Sequence, residues 1–244
     1  MKNIRRPSAA LTSALLFAAL FLGACGSDKS NVTGPGPGTG ANPTAPTLST
    51  AQTYVVLGSS AVTNTGATAI TGDLGVGSPG ISPTGFPPGT ITGTTHSGDA
   101  SSAQASLDLT PAYNALAAKT CGTSLSGQDL GGKTLTQGVY CFTSSAQLTG
   151  ALTLNGNASS IFVFKIASSL NTASSSSVVM TGGSLARNVY WQVGSSATLG
   201  SSTAFQGNIL ALTSVSLGTG ASLSGRALAI NGAVTMDGNA ISMP

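Results

Sequence analysis

The chain has 244 residues, of which only 6% are charged and 5% aromatic, whereas 41% are hydrophobic and 33 are glycine. An average globular domain has about 25% charged residues, so this chain is built mainly from small, uncharged side chains. The formal net charge of +3 comes from Lys2, Arg5 and Arg6, without which six basic residues balance six acidic ones. A balanced surface lacks the clustered lysine and arginine that nucleic-acid binding needs, which excludes that class of partner.

The N-terminus is typical of an export signal. A basic start precedes an apolar run over residues 9–22, which ends in Leu22-Gly23-Ala24-Cys25. These features predict a secretory signal peptide over residues 1–24. The last four residues are similar to a bacterial lipobox, in which the cysteine is lipidated, so Cys25 is the candidate lipidation site. An ordinary signal peptide with an incidental cysteine is the alternative.

Residues 25–50 are rich in glycine, proline, serine and threonine and poor in apolar side chains. Such a segment cannot bury a core, so it predicts an extended tether between a lipid anchor on the membrane and one domain over residues 51–244. We expect an exported protein that is anchored at the cell surface or the outer membrane, or secreted if Cys25 is not lipidated.

A repeat pattern dominates the rest of the chain. Apolar alternating stretches begin at Tyr54, Val139, Phe162, Val189, Ile209 and Ala227, each followed by small residues and hydroxyl residues. The last five follow one another in steps of 18–27 residues. Steps near 20 residues are typical of one coil of a β-solenoid, whose coils bury their apolar faces by stacking.

Between the first repeat and the second lies the one predicted helix, at about residues 99–119. Asp99 can cap its N-terminus, and apolar residues recur at helical spacing as far as Leu116. Pro111 predicts a kink or a break. A single helix with one apolar face needs a partner, and the flank of the solenoid is the expected one. The proline-rich stretch that begins at Gly75 is expected to be a loop or a cap.

Cys121 and Cys141 are the other two cysteines. In an oxidising compartment they form the only available pair, which predicts a disulfide. The rival interpretations are a metal site and a reactive thiol. His96 is the only histidine and no CxxC motif is present, which disfavours a metal site. No cofactor and no metal are expected.

Several longer stretches point to one family: LGSSAVTNTGATAITGDLGV from Leu57, DLGGKTLTQGVYCF from Asp129, NVYWQVGSSATLG from Asn188 and GRALAINGAVTMDGNAI from Gly225. In order and sequence, about 51–244 resembles the bacterial and fungal ice-binding proteins of the DUF3494 type. The resemblance implies a mainly β fold: a right-handed, triangular β-helix with one long α-helix packed alongside. It further implies a first strand inserted out of order between later coils, and one face that binds ice.

In that family the ice-binding face sometimes has a Thr-(Ala/Gly)-x-(Thr/Asn) motif. Only residues 65–68 match it fully here, and the other coils keep part of it. The resemblance implies that the hydroxyl residues of these segments collect on one face and contact ice, with Thr65 and Thr68 as the strongest members. The predicted ice-binding residues are Thr65, Thr68, Thr149, Thr172, Ser175, Ser202, Thr203, Thr219 and Ser222.

The expected function is therefore adsorption to an ice crystal surface, which inhibits ice growth and recrystallisation, by a monomer without a protein partner. Catalysis is not expected, because the six acidic residues are all aspartates and form no close pair in the sequence. The alternative that stays open is a cell-surface adhesin or structural lipoprotein with the same fold and no ice affinity.

Overall fold

The computed structural model of the chain describes residues 41–244. The predicted signal peptide, Cys25 and most of the predicted tether lie outside the described residues. Within residues 41–244, no helix is long and apolar enough to cross a membrane.

Short strands make up most of this part of the chain. Two 3-10 helices occupy Ser49–Thr53 and Ala186–Asn188, and the helix α1 spans Ala100–Ala117. The strands before α1 are β1 (Tyr54–Gly58), β2 (Ala61–Asn64), β3 (Ala69–Thr71), β4 (Asp73–Val76), β5 (Thr90–Thr92) and β6 (Thr95–Ser97). The strands after α1 are β7 (Thr123–Ser124), β8 (Thr134–Leu135), β9 (Gly138–Phe142), β10 (Ala146–Leu148), β11 (Ala151–Asn155), β12 (Phe162–Ile166), β13 (Leu170–Thr172), β14 (Ser177–Thr181), β15 (Val189–Val193), β16 (Ala197–Leu199), β17 (Ala204–Ala211), β18 (Val215–Leu217), β19 (Ser222–Ala229), β20 (Ala233–Met236) and β21 (Ala240–Ser242).

Successive coils stack through parallel strand pairs on three faces. Face a contains, in stacking order, β7, β9, β12, β15, the second halves of β17 and β19, β1, β4 and β6. Face b contains β10, β13, β16, β18, β20 and β2. Face c contains β8, β11, β14, the first halves of β17 and β19, β21, β3 and β5. This arrangement confirms the predicted β-helix.

Two glycines let a strand turn the corner from face c to face a without a break. Gly207 and Gly225 lie opposite each other in the middle of β17 and β19. Their φ angles are 111° and 153°, values that side chains rarely allow. A Cβ atom on Gly225 would lie 1.9 Å from the carbonyl oxygen of Gly207, so both positions require glycine.

The N-terminal coils stack on the C-terminal one, out of sequence order as the resemblance implied, but the first strand is not inserted between later coils. β1 lies between β19 and β4, with Val56 opposite both Ala227 and Leu74. On the other faces, β2 pairs with β20 and β3 with β21. Residues near the two ends of the domain therefore meet in the interior of the stack.

Aromatic side chains fill part of the interior. The rings of Phe164 and Trp191 are stacked, with centroids 3.9 Å apart and planes 9° from parallel. Trp191 is fully buried, and its indole N–H donates a 3.0 Å hydrogen bond to the carbonyl oxygen of Gln206. A buried indole whose N–H has a hydrogen-bond partner is a core residue.

The helix α1 packs on face a. Asp99 caps it, because its carboxylate accepts a 2.9 Å hydrogen bond from the backbone N–H of Ser102. Leu109 and Leu116 are fully buried in one cluster with Val163, Leu228 and other residues of face a. Pro111 lies inside the helix on its exposed side and does not end it. The observed bounds agree with the predicted ones to within two residues.

The domain begins earlier than the predicted boundary at residue 51. The side chain of Asn42 donates to the carbonyl oxygen of Ser159 at 2.9 Å and accepts from the backbone N–H of Ile161 at 2.8 Å. Leu48 is buried in the cluster beneath α1. The last ten residues of the predicted tether thus pack on the folded domain.

A disulfide joins Cys121 to Cys141. Cys121 follows the end of α1 and Cys141 lies in β9, so the bond ties the segment after the helix to face a. It spans 20 residues of sequence.

Candidate functional site

Face a is covered by other parts of the chain. Leu57, Val163, Leu210 and Leu228 all point out of the β-helix and are fully buried by α1 and the segment before β1. A crystal surface or a large partner cannot reach these side chains. Among residues 41–244, faces b and c and the corner between them are the surfaces left open on the flanks of the β-helix.

The motif segments lie at the corner between faces b and c. The structure places them in the turns that connect a strand of face b to the next strand of face c. These turns comprise residues 65–68, 149–150, 173–176, 200–203, 218–221 and 237–239. Four of them contain four residues, one contains three and one contains two, so a position counted from the start of the turn does not keep one direction in every coil.

Three of the predicted ice-binding residues are inside the corner and not on its surface. Thr68, Thr172 and Thr203 are 1%, 8% and 0% exposed. The hydroxyl of Thr68 donates to the side-chain oxygen of Asn64 at 2.5 Å and accepts from the backbone N–H of Asn239 at 3.0 Å. The hydroxyl groups of Thr172 and Thr203 bond to each other at 2.9 Å. The prediction that these three side chains contact ice is wrong.

The cause is a change of direction within the turn. In strands, alternate side chains point outward, but a turn breaks that alternation. The last residue of each four-residue turn is buried, and where it is Thr68, Ser176 or Thr203 its hydroxyl group forms a hydrogen bond inside the corner. Ser176 occupies the same place as Thr203 and is also buried, with a 3.0 Å hydrogen bond to the carbonyl oxygen of Leu148. Thr172 is not in a turn at all, because it is the last, inward-facing residue of β13.

The other predicted residues lie on the surface, spread along the corner. Thr65, Thr149, Ser175, Ser202 and Thr219 are exposed. Thr219 donates to the carboxylate of Asp237. Ser222 is half-buried and begins β19 on face c. The structure therefore brings these side chains to an edge of the domain, and they do not form one flat face.

A regular row of polar side chains lies on face b. The middle residue of each short strand points outward, and the strand register aligns these residues across the sheet. We call this line the central row; its members, in stacking order, are Gln147, Asn171, Thr198, Ser216, Thr235, Thr63 and Thr84.

Thr84 joins the row from outside the regular strands. It belongs to the proline-rich stretch predicted to be loop or cap, yet it forms a bridge with Thr63. Its backbone N–H donates to the carbonyl oxygen of Val62, and its carbonyl oxygen accepts from the N–H of Asn64, both at 3.0 Å. These two bonds hold Thr84 in the position of a strand residue.

The hydroxyl groups of the central row are largely free of bonds within residues 41–244. Thr235 donates to the hydroxyl oxygen of Ser216 at 3.0 Å. Within the same part of the chain the hydroxyls of Thr63, Thr84 and Thr198 have no hydrogen-bond partner. The hydroxyl groups of these threonines can therefore form hydrogen bonds to liquid water or to ice.

A second row runs beside the central one and contains Ser145, Ser169, Ser196, Ser214, Ala233 and Ala61. Some of its hydroxyls bond to the backbone of the next coil. The oxygen of Ser145 accepts from the N–H of Ser169, and that of Ser214 from the N–H of Ala233, both at 3.4 Å. The side chains of this second row are smaller than most of those in the central row, so they end closer to the sheet.

Face c is less regular than face b. β14 and β17 pair there through a single residue pair, Ser177 with Ala204. Its outward positions include Val179, 41% exposed, and Gln206 as well as alanines and hydroxyl residues. The regular side-chain spacing is interrupted where β14 meets β17.

Face b has no ionisable side chain in any of its six strands. Asp237 lies in the corner beside it, and Asp129 pairs with Gln147 at one end. Burial opposes ionisation of Asp129, but hydrogen bonds from the N–H groups of Gly131 and Thr149 outweigh it, so the pKa of Asp129 is lowered. Within residues 41–244 no three His, Cys, Asp or Glu residues are grouped so that they could hold a metal ion.

The central row is what the interpretation of the sequence missed. Its signal is a single polar residue between two apolar ones, as in Ala197-Thr198-Leu199 and Val215-Ser216-Leu217. The motif drew attention to the following turn, although the strand alternation already assigns the middle residue to the outer surface.

Comparison with known proteins confirms the family predicted from the sequence. Residues 56–242 match the family model described as Ice-binding-like. An ice-binding protein of Nostoc sp. (strain HG1) is 57% identical over 198 residues, covering 80% of this chain and 73% of that protein. The crystal structure of an ice binding protein from an Antarctic biological consortium has a TM-score of 0.82 at 50% identity, covering 85% of this chain and 95% of that one. The crystal structure of an ice-binding protein from the Antarctic ascomycete Antarctomyces psychrotrophicus has a TM-score of 0.78 at 42% identity. The match covers 82% of this chain and 98% of that one. The chain belongs to the ice-binding-like family.

Proposed function

We propose that this protein binds ice through face b, with the threonine and serine side chains of the central row as the main contacts. The observation that carries the proposal is the alignment of Thr198, Ser216, Thr235 and Thr63 across four paired strands that contain no charge. The ice-binding relatives support the function, and the covered face a and the irregular face c support the choice of surface.

The geometry of a parallel sheet suits a crystalline ligand. Neighbouring strands are about 4.8 Å apart, and outward residues on one strand repeat about every 6.6 Å, so face b presents a two-dimensional grid. Each threonine adds a methyl group beside a hydroxyl group. Methyl groups favour cage-like water and hydroxyl groups anchor it, so the grid can hold water in an ordered layer that merges with ice.

Rigidity makes weak contacts sufficient. A threonine in a strand has few side-chain rotamers, and the coils above and below fix its backbone. Little conformational entropy is then lost when the surface meets a crystal. Bound molecules force ice to grow as curved fronts between them, which depresses the freezing point and slows recrystallisation.

The test is an ice-affinity partition with two matched variants of the full chain. Thr198→Lys places a charge in the central row, and Thr71→Lys places the same charge on face c, where Thr71 is also exposed and outward-facing in a strand. Wild type and Thr71→Lys should be enriched in the ice fraction, and Thr198→Lys should be excluded. Thermal unfolding checks that both variants are folded.

Two other outcomes would count against the proposal. If Thr71→Lys alone loses ice affinity, the binding surface is face c. If the wild type is itself excluded from ice, face b does not bind ice in this protein, and the adhesin or structural lipoprotein alternative takes its place.

The proposal also covers the protein's location in the cell and its oligomeric state. The protein is exported as a monomer and held at the cell surface by a lipid on Cys25, supported by the lipobox-like Leu22-Gly23-Ala24-Cys25. Incorporation of a labelled fatty acid into the wild type but not into Cys25→Ala tests the anchor. Release of unlabelled protein into the medium would show a secreted form instead.

The proposal includes no catalytic activity. Asp73 and Asp129 bind backbone N–H groups of Thr94, Gly131 and Thr149 at 2.6–2.9 Å, as turn-stabilising carboxylates do. These two carboxylates therefore have structural roles, and an assay with polysaccharide substrates should show no turnover.

A further inference from the structure

The chemistry of the central row changes along the stack. From Thr198 to Thr84 the row has five short hydroxyl side chains in succession. In the other direction Thr198 is followed by Asn171 and then by Gln147, whose strands remain in register. Beyond Gln147, the bridge partner is Asp129. Hydroxyl groups thus give way to amides and then to a carboxylate within three coils.

The amide side chains differ from threonine in reach and in freedom. Asn171 and Gln147 have longer side chains that extend farther from the sheet than the β-branched threonine. Each has more rotatable bonds, so ordering it against a crystal costs more entropy. Because these amide side chains are longer, they hold a flat ice surface away from the smaller side chains beside them.

Asp129 adds a charge at the same end. The hydrogen bonds from Gly131 and Thr149 lower the pKa of its carboxyl group, so it is ionised at neutral pH. An ionised group keeps a hydration shell of its own, which does not match an ordered layer of water. Asn171, Gln147 and Asp129 are neighbours at one end of the central row. They therefore limit the regular hydroxyl grid at that end and do not interrupt it in the middle.

We infer that the ice contact on face b ends at Thr198, and that Asn171 and Gln147 are the residues that limit its extent. This inference rests on the proposed function of face b. The contact then covers the coils that present Thr198, Ser216, Thr235, Thr63 and Thr84, which include both N-terminal coils and the bridged loop. The first coils after α1 support the fold without touching ice.

Threonine fits both limiting positions. Asn171 and Gln147 are outward-facing residues in the middle of β13 and β10, and their side chains bond to nothing within residues 41–244. Threonine is also better suited to a strand than either amide. Asn171→Thr and the double variant Asn171→Thr/Gln147→Thr should therefore fold and extend the hydroxyl row by one and by two coils.

The test compares these variants with a matched control on face c. Gln206 is an outward-facing residue of β17, so Gln206→Thr makes the same kind of change on a surface outside the proposed contact. The readouts are the fraction of full-length protein that partitions into ice and the concentration that halves the rate of recrystallisation. We expect the double variant to lower that concentration about threefold, Asn171→Thr to lower it less, and Gln206→Thr to leave it unchanged.

The reciprocal variant Thr198→Asn moves the boundary inward by one coil and should raise the same concentration about threefold. The inference is overturned if the wild type binds ice but the Asn171 and Gln147 variants do not exceed it, while the proposed function still stands. It is also overturned if Gln206→Thr gives an equal gain, because the effect would then be a general one of strand propensity. Exclusion of the wild type from ice overturns the inference and the proposed function together.

Discussion

The hydroxyl oxygens of Thr172 and Thr203 are 2.9 Å apart and buried, although the two residues belong to successive coils. Thr203 can also donate to the carbonyl oxygen of Ala173 at 3.2 Å, and Thr172 accepts from the N–H of Gly200 at 2.9 Å. The pair therefore holds two turns of the b/c corner together from the inside. These two hydroxyl residues therefore contribute to stability and not to the surface of the corner.

Thr203→Val should destabilise the protein without weakening its contact with ice. The substitution removes the hydroxyl group but keeps the shape, and it leaves buried turn groups short of a partner. The expected loss is about 1–3 kcal/mol in the free energy of unfolding, measured by urea denaturation. Ser201→Ala, an exposed change in the same turn, should alter stability by less than about 0.5 kcal/mol. A variant of Thr203 with normal stability and no ice affinity would restore this residue to the binding surface.

Ser202→Gly and Ser175→Gly should each raise the thermal unfolding midpoint. Both serines have positive φ angles, 57° and 59°, at a turn position where other coils have glycine: Gly220 at 73° and Gly238 at 60°. Relief of the left-handed strain outweighs the extra entropy of glycine in the unfolded chain by about 0.5 kcal/mol. The reverse change, Gly220→Ser, should lower the midpoint. Equal effects of Ser201→Gly, which lacks the positive φ, would contradict the explanation.

Acid should loosen the segment over residues 41–53 through Asp108. Hydrogen bonds from the hydroxyl groups of Thr50 and Ser49 and from the Thr50 N–H lower the pKa of Asp108 to about 2 from an ordinary 3.8. A lowered pKa means that the carboxylate stabilises the fold above about pH 4 and that this contribution is lost as the pH falls towards 2. Asp108→Asn should be less stable than the wild type at neutral pH, and the difference should vanish near pH 2.

Chemical denaturation at a series of pH values measures that difference. Asp99 and Asp129 also have lowered pKa values, so the Asn variant should keep part of the acid sensitivity. While the protein is folded, its ice affinity should not fall with pH as its stability does, because no strand of face b has a titratable group. A difference in stability that persisted unchanged down to pH 2 would exclude the role given to Asp108.

Removal of the disulfide should cost about 3 kcal/mol of stability. Cys121 and Cys141 close a loop with a sequence separation of 20 residues, and a cross-link of that span restricts the unfolded chain by roughly this amount. Cys121→Ser/Cys141→Ser should therefore unfold at lower urea concentration but still partition into ice at low temperature. A reducing agent should shift the wild type by the same amount and leave the double variant unchanged; a shift in the double variant would point to another target of the reductant.

The sequence was sufficient for the architecture because the signals there are periodic. Alternation within strands, a helix with a capping residue such as Asp99, and a family resemblance over most of the chain together predicted the coils, the helix and a first strand that stacks out of sequence order, although not its place between β19 and β4. Each of these features repeats or extends over many residues, so a local ambiguity at a position such as Pro111 does not change the result.

The direction of single side chains in turns could not be obtained in the same way. Corner turns differ in length, from two residues at Thr149 to four at Thr65, and each difference changes which hydroxyl points inward. The start of the domain was missed for a related reason, because Asn42 attaches its segment through side-chain hydrogen bonds and not through an apolar run. Thr84 was missed because two backbone bonds, and no local strand pattern, place it on face b.

The position of β1 between β19 and β4 affects how the protein is made. Residues 54–97 are synthesised before the later coils, yet β19, the strand of those coils on which β1 stacks, is among the last strands of the domain to be synthesised. A nascent chain therefore contains Thr63 and Thr84 long before it can align them with Thr235 and Ser216. The surface proposed to bind ice is therefore completed only after β20 has been synthesised, and loss of β20 would leave β2 without its strand partner on face b.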